Sequence, residues 1–101
     1  MILDTIDDIH VWYHSNQNHN KVWGYFRHGT ATQHWAFWGG IGKAWSFKYH
    51  GLPWDLLKLS DAKCRKGYLS ISLPDLDVLD PTWRIRFSER FSYFLLMHTS
   101  F

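Results

Sequence analysis

At 101 residues the chain has room for one domain with a modest core that needs neither a metal nor a disulfide to hold it. Aromatic residues are 19% of it within a hydrophobic share of 46%, so rings must supply most of the packing and some should stay exposed. A net charge of +2 permits a polyanionic partner without requiring one, while a single cysteine and no apolar run near the roughly 20 residues of a span exclude a disulfide framework and a membrane helix.

The start, Met1 to Asp8, is acidic and lacks the basic opening of a secretory leader, which implies a cytoplasmic protein. Ile9 to His14 (IHVWYH) is β-branched and aromatic and suits a strand, and Ser15 to Asn20 (SNQNHN) supplies the turn residues of a hairpin. Lys21 to Arg27 (KVWGYFR) is a second strand, in which Gly24 marks either a bulge or a close approach of another backbone or a ligand. His28 to Gln33 turns the chain into a third strand, Gln33 to Trp38. After the GGIG break, Lys43 to Tyr49 reads as a fourth, with Trp45, Phe47 and Tyr49 on one face and Ala44, Ser46 and Lys48 on the other. Such short connections imply antiparallel order.

The period then changes. Pro53 suits a first helical turn, Leu56 and Leu59 lie three apart, Lys58, Lys63, Arg65 and Lys66 crowd the later turns, and Gly67 fits a left-handed stop, which places a helix at about 53–66. Tyr68 to Leu73 alternates again as a strand, and LPDLDVLDP (73–81) reads as a loop ending in Asp80 as an N-cap before Pro81. Trp83, Phe87, Phe91, Phe94, Leu95 and His98 then recur at three and four, the stripe of an amphipathic helix. WRIRF also alternates with period two, so a C-terminal β-hairpin is the alternative. The expected fold is α+β: an antiparallel sheet with one helix packed across it, plus a C-terminal helix, in one domain spanning 1–101 with a C-terminal extension from about residue 74.

Three local signals stand in order: Asn20 and Lys21 followed by Trp23, the run WGGIGK from Trp38 to Lys43, and a basic helix ending in Lys66, Gly67 and Tyr68. Together, over roughly residues 10–70, they resemble the WGR domain, a nucleic-acid-binding module of DNA-dependent poly(ADP-ribose) polymerases and of some bacterial proteins. The name-giving Trp-Gly-Arg falls on Trp38, Gly39 and Gly40. The resemblance implies a sheet crossed by one helix, with Trp38 stacking on a sugar or base at a DNA end. Gly40 stands where the motif has arginine, which removes a planar five-donor group, so a polymerase-activating role does not follow.

The candidate nucleic-acid-binding residues are Trp38, Gly39, Gly40, Lys43, Lys21, Lys48 and Arg27. Glycines beside the indole uncover backbone where a flat ligand can approach, and cations around rings suit a phosphate backbone. On the fourth strand Lys43 and Lys48 have opposite parity, so both line one face only if a bulge intervenes. Lys63, Arg65 and Lys66 are a further phosphate contact that the helix dipole also explains. His10 and His14 are four residues apart, roughly 13 Å on an extended chain, and no spacing completes a metal site. Cys64 reads as a small buried apolar residue. No nucleophile, acid–base or P-loop pattern is recognisable, so neither a cofactor nor an enzymatic activity is expected. Two function classes follow: a free-standing module binding nucleic acid, DNA above all, without base specificity, or a small interaction protein of the phage or mobile-element kind that grips a host protein through exposed rings.

Overall fold

Phe26, Phe37 and Phe47 stand on three neighbouring strands with ring centroids 6.0 to 6.2 Å apart, and the fold is built outward from them. The computed structural model describes residues 2–29, 33–51 and 53–99; the turn expected at 28–33 lies partly outside these. A 3-10 turn (Ile2–Thr5) leads into β1 (Ile6–Ser15), β2 (Asn20–His28), β3 (Gln33–Gly40) and β4 (Ser46–His50). Helix α1 (Pro53–Arg65) and β5 (Leu69–Ile71) follow, then α2 (Leu73–Leu79) and α3 (Trp83–Thr99). The five strands form one sheet in the order β4-β3-β2-β1-β5, every pair antiparallel. The fold is α+β, and the C-terminal segment is the helix rather than the hairpin.

Alternation along the strands divides the rings between two faces. Val22 and Phe26 of β2, Trp35 and Phe37 of β3, and Phe47 of β4 point to one side, where Leu76 of α2 and Trp83, Phe87 and Phe91 of α3 bury them. The last four are all 0% exposed, so residues beyond 74 supply one wall of the main core. Trp23, Ala36 and Leu56 form a second, smaller cluster on the opposite face, beneath α1, with Trp12, Tyr25 and Tyr68 packed around it. The sheet is therefore covered on both sides. Helix α1 lies on its face while the chain passes from edge strand β4 to edge strand β5.

Four local expectations need correction. Residues 73–79 are helical: the Ser72 side chain accepts a hydrogen bond from the Asp75 amide at 3.2 Å, and Pro74 sits in the first turn, where its missing N–H costs nothing. Asp80 ends α2 instead of opening α3, and its carboxylate turns inward to other partners. The fourth strand begins at Ser46, so Lys43 belongs to the loop and the parity argument does not bind it. Cys64, on the outer side of α1, is exposed.

Gly24 has the close-approach role. A Cβ built there would lie 2.4 Å from both the His10 carbonyl oxygen and the ring of Phe37, the direct cross-strand partner of Gly24. Backbone cannot yield to such an atom. We expect Gly24→Ala to lower stability by about 3 kcal/mol, the upper end for overpacking, read as a fall in the urea midpoint at unchanged slope.

Candidate nucleic-acid interface

Trp38 and Trp23 are direct cross-strand neighbours on the face crossed by α1. Trp23 is buried, yet Trp38 is 41% exposed, since α1 covers the middle of the sheet and leaves this end of β3 open. Of the seven tryptophans, Trp12, Trp23, Trp35, Trp45 and Trp83 pack against other aromatic rings. Trp38 and Trp54 have no such ring partner among the described residues, and Trp54, 54% exposed on the first turn of α1, is not part of the groove that Trp38 lines. The Trp38 indole lines an open groove of about 490 Å³ together with Gly39, Gly40, Lys21, Lys43, Lys63 and Tyr68.

The walls of that groove are fixed by local chemistry. The β1–β2 hairpin tip is ordered by Asn16, whose side-chain oxygen accepts from the amides of Asn18 and His19 at 3.0 and 2.9 Å. Asn20 joins this tip to the glycine loop: its side chain accepts from Tyr13 and Ser15, and its carbonyl accepts from the Ile41 amide at 3.0 Å. The far wall comes from the end of α1, where Gly67 adopts φ 98°. There the Tyr68 amide donates to the Lys63 carbonyl at 3.1 Å and the Gly67 amide to that of Cys64 at 3.0 Å, a Schellman stop. That stop sets the Lys63 ammonium 5.1 Å from the Tyr68 ring centroid, while His14 stacks on Tyr68 at 5.0 Å.

The floor of the loop is held from the other side of the sheet. Gly39 lacks a side chain because Trp45 occupies its place, with Cδ1 2.3 Å from where a Cβ would stand, and the Trp45 indole N–H donates to the Gly40 carbonyl at 2.8 Å. The buried Asp80 carboxylate accepts from the Gly42 amide at 2.9 Å and is gripped by both terminal nitrogens of Arg86. Arg86 Nε also donates to the Lys43 carbonyl and Arg90 Nε to the Trp45 carbonyl, each at 3.1 Å. The main chain beside Trp38 is thus fixed by α3, and these glycines serve packing as well as access.

Electrostatically the groove is one-sided. Lys21, Lys43 and Lys63 line it with no aspartate or glutamate among the lining residues, and none of the three forms an ion pair among the described residues. Burial pushes the Lys63 ammonium below the usual lysine range, and the charges of Lys66 and Lys21 push it further the same way. Like charges gathered without a counter-ion favour an anion between them.

Of the residues expected from the sequence, the structure brings together Trp38, Gly39, Gly40, Lys43 and Lys21. Lys48 lies in a separate shallow groove with His50, Asp55 and Lys58. Arg27 is four residues from Trp23 along β2, about 13 Å, and faces Asp7 and Asp8 at 3.7 and 3.5 Å. Tyr68 joins the groove although only its place after Gly67 hinted at it, and Lys63 joins while Arg65 and Lys66 do not line it. Among the described residues no three His, Cys, Asp or Glu side chains gather into a metal site, and no helix is long and apolar enough to cross a membrane.

Replacing Asp80 with alanine leaves a half-buried guanidinium and the Gly42 amide without their acceptor. Loss of one partner of a buried pair costs about 3–5 kcal/mol, and the partial access of Arg86 to water, with its side chain 22% exposed, sets the expectation at the lower end. Chemical denaturation should show this loss, and the Gly42 amide should exchange with solvent faster than in the parent. Compared with family models, curated proteins and solved structures, the chain matches none, so its functional reading rests on the chemistry of this groove.

Proposed function

We propose that the chain is a free-standing WGR-like module that binds nucleic acid, DNA above all, without base specificity. The observation that carries this reading is the pairing of one exposed, ring-free indole with three uncompensated lysines in a single groove. Bases stack on an aromatic ring whatever their identity, each such contact contributing about 1–3 kcal/mol, and lysines meet the phosphates that every sequence shares. The order of motifs that resembles a WGR domain supports the same reading. Its missing arginine has a counterpart here, because Lys43 Cγ stands 3.0 Å from where a Gly40 Cβ would be. The cation of this loop comes from position 43 instead of 40.

A host-protein partner is the second reading, and one feature favours it. Ile85, Tyr93 and Leu96, on the outward side of α3, are 55%, 54% and 68% exposed, the kind of surface that anchors a protein interface. Salt separates the two partners, since phosphate contacts weaken steeply with ionic strength and apolar contacts do not.

Fluorescence anisotropy with labelled oligonucleotides at several salt concentrations tests the proposal. Trp38→Ala should remain folded and lose about 1–3 kcal/mol of binding. Lys43→Ala should reduce the slope of log K against log salt by about one. Absence of binding to single-stranded, duplex and nicked DNA and to RNA at low salt overturns it.

A further inference from the structure

The groove has a shape as well as a charge, and its shape restricts what can reach the indole. Trp38 does not stand on a flat platform. It shares one groove with the hairpin tip at Asn18, His19 and Asn20 and with Lys63 and Tyr68. The groove, about 490 Å³ and open to solvent, falls in the range of about 300–1,000 Å³ that holds a small organic ligand, the scale of a nucleotide. Both neighbours of Tyr68 are already in place, His14 stacked at 5.0 Å and the Lys63 ammonium at 5.1 Å, so Tyr68 forms a wall and offers no second stacking surface. One free ring in a walled groove serves one base.

Inside a duplex both faces of every base are covered by its neighbours, and a base must leave the stack before a side chain can lie on it. From the walls of this groove we infer that it selects an unpaired nucleotide, the base lying on Trp38 and the adjoining phosphates meeting Lys21 and Lys63 across the groove. This rests on the nucleic-acid reading above and narrows it to single strands. Lys63 is disfavoured as a cation by burial first and then by the charges of Lys66 and Lys21. A phosphate between Lys21 and Lys63 relieves that crowding.

The test is a set of anisotropy titrations of the full chain at low salt, with four probes: a twelve-residue oligothymidine, a blunt DNA hairpin of equal charge, the same hairpin with a six-thymidine overhang, and an abasic oligomer that keeps the phosphates but has no bases. The single strand and the overhang should bind at least tenfold tighter than the blunt hairpin and the abasic chain. Trp38→Ala, checked for folding by circular dichroism, should bring all four to similar weak affinities. Lys21→Gln with Lys63→Gln should weaken all four and leave the remaining preference for bases intact. Equal or tighter binding of the blunt hairpin overturns the selection of unpaired nucleotides and leaves the nucleic-acid reading standing, as does a preference that survives Trp38→Ala. Failure of every probe to bind overturns both.

Discussion

The Asp80 carboxylate holds the architecture and the groove together. It is buried, it accepts from the amide of Gly42, and it is gripped by the guanidinium of Arg86, which in turn bonds the Lys43 carbonyl, while the Asp80 backbone amide closes α2 on the Leu76 carbonyl. A buried charge is tolerated only when its lone pairs are met, and here the groups that meet it come from the glycine loop and from α3. That requirement ties two distant parts of the chain into one arrangement. The loop that joins Trp38 to Lys43 therefore has one backbone path, even with Gly39, Gly40 and Gly42 in it.

The same economy explains why so aromatic a chain leaves Trp38 open on the sheet, while the other tryptophan without a ring partner among the described residues, Trp54, stands on the first turn of α1. With α2 and α3 on one face and α1 on the other, rings on both sides of the sheet find partners: Phe37 stacks on Trp45, Trp45 on Trp83, and Trp12 on Tyr25. Helix α1 buries only Leu56 and Ser60 and ends at Arg65, with Gly67 turning the chain away. Trp38 is on the covered face but beyond the cover. Its exposure follows from where a Schellman stop ends a helix, and the same stop places Lys63 and Tyr68 opposite it.

Much of this was legible in the residues because the signals were local. Trp45 and Phe47 alternate with polar neighbours, Trp83, Phe87 and Phe91 recur at helical spacing, and Gly67 closes a basic helix; each pattern states its own burial. The groove was legible in part, since Trp38, Gly39, Gly40 and Lys43 are contiguous or nearly so and Lys21 faces Gly40 across adjacent strands. What escaped is long-range. Asp80 reads as a helix cap from its neighbours, and only the folded chain brings it to Gly42, thirty-eight residues away. Arg27 and Lys48 look equivalent to Lys21 in composition, yet the register sends them to the other end of the sheet or to another groove. The helix at 73–79 was hidden by its acidic, proline-bearing sequence, where Ser72 as a cap outweighs low propensity.

The most direct measurement is a proton–nitrogen correlation spectrum of the labelled chain during titration with a short oligothymidine, following the tryptophan indole signals. The account predicts that the Trp38 indole shifts progressively, together with the amides of Lys21, Gly40 and Lys63, while the indoles of Trp45 and Trp83 stay in place. A titration that moves the amides of Ile85, Tyr93 and Leu96 and leaves Trp38 unmoved contradicts it.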